Sequence, residues 1–188
     1  MPRRSIDHAR LDDEDWVGDA SFSECGRWRW WLTRIWDDSL PMAGLIGMNP
    51  STATAKKNDH TVGKEIQFVR RWKGFGGMLK LNAFAFIATM PADMYAAMAN
   101  GIDIIGSKNT TEHMLDYLSQ FRVKKVVACW GHLKTDRGWL LAANLEAMGG
   151  FKLDCFKKNL DGSPAHPARL PYGLQPTPWN YTKSPSSD

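Results

Sequence analysis

Residues 43–54 read AGLIGMNPSTAT, an uncharged apolar run that breaks off at Asn49-Pro50. A run this short, bounded by a turn signal, is a buried strand rather than a helix. Pro50 has no amide hydrogen and keeps the preceding residue out of the helical region, so the chain turns sharply with Asn49 at the lip of the strand. A buried strand must be covered by other layers. In open α/β sheets, ligands bind just beyond the carboxyl ends of such strands. Asn49 would stand at that edge with Ser51, Thr52 and Thr54 behind it. The same residues also suit a plain strand-to-loop turn, because Asn-Pro and Ser-Thr are common loop chemistry.

The rest of the chain repeats the theme. Residues 27–36 (RWRWWLTRIW) alternate roughly, as an edge strand showing Arg27, Arg29 and Arg34 on one side would. Aromatics interleaved with arginine can hold nucleic acid by stacking and charge; a Trp-rich strand packed on a core has the same pattern. After the loop 51–60, Thr61 is a candidate N-cap for a helix over 62–73, where Val62, Ile66 and Val69 form an apolar stripe and Lys64, Arg70, Arg71 and Lys73 stay outside. Further strands are expected over 78–86 (MLKLNAFAF), 123–130 (VKKVVACW) and 151–156. Helices are expected over 92–99, 110–121 and from Thr135 or Asp136 to Met148, the last closed by Gly149-Gly150. Asn82 interrupts an apolar strand end, so its amide must find partners or face a cleft. Strands alternating with helices imply a mostly parallel sheet covered on both faces.

The 188 residues suit one domain: an N-terminal arm over 1–26, a single α/β domain over 27–180 and a flexible tail over 181–188. A net charge of +4 is compatible with a polyanionic partner. Cys25, Cys129 and Cys155 lie far apart and have no metal-ligand spacing; the last two sit in apolar runs as buried thiols. No signal peptide or membrane-length apolar run is present, which predicts a cytoplasmic protein. Neither G-x-x-x-x-G-K-[ST] nor G-x-G-x-x-G occurs, nor a serine nucleophile elbow, nor a zinc-spaced cluster. Nucleotide hydrolysis, dinucleotide redox and zinc hydrolysis lose ground, and neither a cofactor nor a metal is expected. The strand ends and the Pro-rich tail are left with Asn49, Asn82, His132 and His166, groups able to orient a water and to donate a hydrogen bond. His60 and His166 also read as ordinary loop histidines, and Asp59 as a solvated loop acid.

The ordered set GMNPST, KLNAF, VVACWG and DGSPAHPARLP resembles the DUF1643 family over roughly residues 27–179. More distantly it resembles the uracil-DNA glycosylase superfamily. Gly47-Met48-Asn49-Pro50 is similar to that superfamily's motif at the end of the first sheet strand. Asn82 is placed like its base-reading Asn, and Trp130-Gly131 and His166-Pro167-Ala168 look like its later motifs. The resemblance implies a three-layer α/β/α domain with a four-stranded, mostly parallel sheet. It implies hydrolysis of an N-glycosidic bond in DNA, to release uracil or a modified pyrimidine. Asn49 would position the water, His166 would stabilise the departing base, and Asn82 would read the base edge, with Met48 and Phe84 as further base contacts. Ser51, Thr52, Lys64, Arg70, Arg71, Arg169 and Leu170 would contact DNA, Arg169 or Leu170 as the wedge that fills the vacated stack. The sequence departs from the superfamily pattern at Ala168, where a Ser is usual, and at the loop 51–57, which is not Gly-rich. The partner is then single- or double-stranded DNA, and the protein a monomer. An inactive nucleic-acid or base-binding module of the same fold, and an enzyme acting on free nucleosides or nucleotides, stay open.

Overall fold

The computed structural model describes residues 15–181. The first 14 residues of the expected arm, and the expected tail from 182 onward, lie outside the described residues. The elements are β1 (Val17–Phe22), β2 (Arg29–Ile35), β3 (Met42–Gly47), α1 (His60–Arg71), β4 (Gly77–Asn82), α2 (Pro91–Ala99), α3 (Thr111–Gln120), β5 (Val123–Ala128), α4 (Arg137–Gly149), β6 (Leu153–Cys155) and β7 (Thr177–Pro178), with one 3-10 turn at Pro167–Arg169.

The chain folds as a mixed α/β domain, but the expected four-stranded, mostly parallel sheet is not what forms. One seven-stranded sheet runs in the order β1-β2-β4-β3-β5-β6-β7. Its centre, β4-β3-β5-β6, is parallel, while β1, β2 and β7 pair antiparallel at the flanks. Of the flanking strands, β2 was expected over 27–36, while β1 and β7 were illegible for physical reasons. β1 (VGDASF) carries no apolar run, and β7 is two residues long. β2 is not the exposed edge that its alternation suggested, because β1 covers its outer side. The end of the expected arm is therefore a sheet strand.

Two apolar layers clamp the sheet. Val62, Ile66, Phe68 and Val69 of α1 pack on Ala43, Leu45, Met78 and Val127. Met114, Leu118, Leu141 and Leu145 of α3 and α4 pack on Ile46, Leu79, Leu81 and Val126 from the opposite face. Each fully buried side chain of this size contributes about 1.5–3 kcal/mol of transfer free energy. The cap of α1 is Asp59, not Thr61: its carboxylate accepts the Val62 amide at 2.8 Å, a stronger cap than a hydroxyl beside the positive helix end. β4 ends at Asn82 rather than Phe86. The segment after residue 170, expected as loop, docks: the Trp179 amide donates to Leu153, and its indole, 3% exposed, donates to Gly162 at 3.0 Å. Among the described residues no helix is long and apolar enough to cross a membrane.

The arginines of β2 do not form an outward face. Arg34 is fully buried under the Trp16 ring, whose centroid is 4.0 Å away. Its guanidinium donates to Asn58 Oδ1 at 2.8 Å and to the carbonyls of Thr33, Thr54 and Lys57 at 2.7, 2.6 and 3.1 Å. Arg29, 2% exposed, donates to the Ala53 carbonyl at 3.0 Å. Burial lowers both guanidinium pKa values to about 10, so both stay charged at neutral pH. These two side chains hold the loop that follows β3. Replacing Arg34 by Leu takes the donor from the buried Thr33 carbonyl and the part-buried Thr54 and Lys57 carbonyls, and a buried polar group left unpaired costs about 1–3 kcal/mol. A loss of about 3 kcal/mol or more is expected by urea denaturation; a loss below about 1 kcal/mol would show that the loop does not depend on Arg34.

Candidate functional site

The chain leaves β3 through α1 on one face of the sheet and leaves β5 through α4 on the other. Because β3 and β5 are neighbours, the two loops diverge and a crevice opens above the strand ends. There the structure has a cleft of about 460 Å³, in the size range of small-molecule sites. Asn49, Asn82 and His166, expected from three separate stretches of sequence, all line it. The strand ladder is extended upward by Ala83 and Phe84, whose amides donate to Gly47 and Met48 at 2.8 and 2.9 Å. Asn82 is in register with Gly47, so Asn49 stands two residues further along the neighbouring strand.

Each polar group is held differently. The Asn49 amide nitrogen donates to the carbonyls of Pro50 and Ala88 at 2.9 and 2.7 Å, which fixes its orientation and leaves Oδ1 with no protein partner. Asn82 is 1% exposed, yet neither its Nδ2 nor its Oδ1 has a hydrogen-bond partner. Its backbone is held by Asn109, whose amide donates to the Asn82 carbonyl at 3.1 Å. Arg137 donates to the carbonyls of Ala83 and Asn109 at 3.1 and 2.8 Å and locks the same corner. An orphaned buried amide costs about 1–3 kcal/mol per group, and Asn82 is one whose residue also lines the cleft, which makes it a candidate ligand contact. One donor and one acceptor side by side match a planar edge with one acceptor and one donor.

His166 caps the 3-10 turn: its Nδ1 accepts the Ala168 amide at 3.3 Å, which places the ring proton on Nε2. The ring is open to solvent on one side and crowded on the other. Burial, and next the Lys80 ammonium, lower its pKa from 6.5 to about 4, so the imidazole is neutral at physiological pH. Gly131, at φ +75, brings the turn after β5 against it: a Cβ there would lie 3.5 Å from the His166 Cβ.

Of the other expected base contacts, Met48 lines the cleft, but Phe84 does not. Phe84 is buried in a third cluster with its ring centroid 6.1 Å from that of Tyr95. The expected DNA contacts divide. Ser51 lines the cleft, Thr52 is exposed beside it, and Arg169 is exposed on the 3-10 turn. Lys64 donates to the Ala168 carbonyl at 3.0 Å and so ties α1 to that turn. Leu170 packs against the α1 layer and is not a projecting wedge. Arg70 and Arg71 occupy the far end of α1, about 15 Å along the axis from the cleft, stacked on Trp36 and Tyr172. Asp59 is not a free solvated acid: it lines the cleft while capping α1. His132 and Trp130 also border a second hollow of about 330 Å³, in which His132 pairs with Asp161. The Ser163 hydroxyl lowers the Asp161 pKa to about 2.

Sequence reasoning missed Lys80 and, behind it, Glu65, and put Arg29 on an outward strand face rather than in the cleft wall. Lys80 and Arg29 line the cleft and are 4% and 2% exposed. A signal existed: Lys80 is the one charge in the apolar run MLKLNAF, two residues before Asn82 and therefore on the same face of the strand. Among the described residues, no group of three or more His, Cys, Asp or Glu is placed to hold a metal ion.

A family model described as a protein of unknown function, DUF1643, matches residues 29–168. That span runs from Arg29 to Ala168 and includes every cleft residue named above. The chain belongs to the DUF1643 family. No curated protein and no solved structure matches it.

If Asn82 serves a ligand rather than the fold, removing its amide relieves an unmet desolvation cost. Asn82→Leu is expected to leave stability unchanged or to raise it by up to about 1 kcal/mol in urea denaturation. A loss above about 2 kcal/mol would assign the amide to the fold.

Proposed function

We propose that this DUF1643 protein is an N-glycosidase that releases a uracil-type or modified pyrimidine from DNA, acting as a cytoplasmic monomer. The observation that carries the reading is the Asn82 amide, buried, unpartnered and set in the wall of a cleft shared with Asn49 and His166. The four parallel central strands, and the likeness of Gly47-Met48-Asn49-Pro50 and His166-Pro167 to uracil-DNA glycosylase motifs, support it.

The target nucleotide swings out of the stack into the cleft, and Asn82 reads the donor and acceptor of its pyrimidine edge. The bond between C1′ and N1 breaks, its electron pair leaves with the base, and the sugar becomes oxocarbenium-like. His166, neutral and protonated on Nε2, donates a hydrogen bond to a base oxygen as negative charge builds there. Asn49 Oδ1 accepts a hydrogen bond from a water and aims its oxygen at C1′; the water's proton passes to solvent or to the released base. Arg169, Thr52 and Ser51 at the cleft mouth contact phosphates, which makes affinity fall with salt. A second reading, base binding without cleavage, is favoured by Asp59, the carboxylate in the cleft wall, one oxygen of which is already engaged by the Val62 amide in capping α1.

The test is base release from single- and double-stranded oligonucleotides carrying uracil or 5-substituted uracils, with alkali revealing abasic sites. Wild type should release base, and His166→Ala and Asn49→Ala should each slow release by about 100-fold or more. Release should hold level down through pH 6.5 and fall only as pH approaches about 4, where a proton on His166 Nδ1 breaks its bond from the Ala168 amide and frees the ring from the turn that aims it. Silence across the panel with oligonucleotide still bound would favour the binding module.

A further inference from the structure

Beneath the cleft lies a buried ion pair that the steps above do not use. Met78, Lys80 and Asn82 share the α1 face of β4. The Lys80 side chain crosses over Gly47 to reach Glu65 of α1, with which it forms an ion pair. The crossing requires glycine: a Cβ at position 47 would lie 2.5 Å from Lys80 Nζ and 3.1 Å from Asn82 Oδ1. Glu65 is fully buried, and the Cys129 thiol donates to it at 3.5 Å. Lys80 lines the cleft and Glu65 does not, so the pair is polarised with its positive end toward the ligand space. Beside it, the Arg29 Nε is buried without a partner in the same wall.

Such a pair is costly. Desolvation takes several kcal/mol per ion, and apolar residues of similar volume hold a strand to a helix at least as well. The geometry suits a second use. An ammonium held in place in a dry wall interacts with a developing negative charge far more strongly than it would in water, and needs no reorganisation as the charge appears. Burial alone would favour the neutral amine; the ion pair with Glu65 is among the contacts that outweigh it and raise the Lys80 pKa, which disfavours a lysine nucleophile and a covalent sugar adduct.

We propose that Lys80 stabilises the anion of the departing base, resting on the N-glycosidase reading. As C1′–N1 breaks, both electrons stay on N1 and spread over the ring oxygens. Lys80 meets that charge from the cleft floor next to Asn82, while His166 meets it from the mouth. No proton moves from Lys80. The substrate class that follows is the pyrimidine that departs as a ring anion, the uracil type. Bases that need protonation to leave gain nothing from a cation at this position.

The experiment is single-turnover release from matched oligonucleotides carrying uracil or 5-fluorouracil, whose anion is intrinsically more stable. The proteins are wild type, Lys80→Met and the double variant Lys80→Met/Glu65→Leu, which removes the pair without stranding a buried carboxylate. Both variants should slow uracil release by about 100-fold or more, and 5-fluorouracil release by less than about 10-fold. An equal loss on both bases would mean that Lys80 only maintains the fold and would overturn the proposal. Release of neither base by wild type would sink the N-glycosidase reading itself, and this inference with it. If Lys80→Met does not fold, the double variant decides.

Discussion

The ion pair between Lys80 and Glu65 joins the sheet to α1 directly under the cleft. Much of the site depends on it. Gly47 must lack a side chain so that Lys80 can pass, and Asn82 stands two residues further along the same strand face. The ammonium also helps to keep His166 neutral, although burial is the larger cause. One buried charge thus sets the shape of the floor and the sign of the local field, and adds to the burial that keeps His166 neutral.

Around this centre, polar groups serve in two distinct ways. Arg34, Asn109 and Arg137 spend their donors on loop carbonyls, and Arg29 gives one to Ala53 while its Nε stays unpaired; together they hold irregular backbone that no strand or helix supports. Asn49 and Asn82 keep atoms unspent: Oδ1 in the first, the whole side-chain amide in the second. The contrast separates scaffold from site. A satisfied buried group stabilises the loop it holds, whereas an unsatisfied one in a cleft wall awaits a partner.

The parts of the fold legible in the sequence were those with strong local signals. The parallel strands β3 to β6 are apolar runs, and α1 to α4 carry caps, stripes or terminal glycines, so their positions were readable to within a few residues. The outermost strands were not. β1 is polar, β7 is very short, and both exist because neighbouring strands offer open edges. The meeting of Asn49 and Asn82 was readable because parallel strands deliver their carboxyl ends to one side, whereas His166, on the 3-10 turn well beyond β6, was placed with them only by the likeness of His166-Pro167-Ala168 to a glycosylase motif. The roles of single residues were harder. Phe84 and Leu170 looked available from their neighbours in sequence, but tertiary packing had already taken them. The β2 arginines looked like a surface stripe, because nothing in a strand pattern shows that a loop 20 residues later will fold over it.

The central claim is that the cleft takes a pyrimidine edge against Asn82. The most direct measurement is a nitrogen-15 NMR titration of the side-chain amides with free uracil. The account predicts saturable shifts of the Asn82 and Asn49 side-chain signals together with the His166 ring, all with one dissociation constant and all absent in Asn82→Leu. Shifts confined to other surfaces, or none at millimolar base, would contradict it.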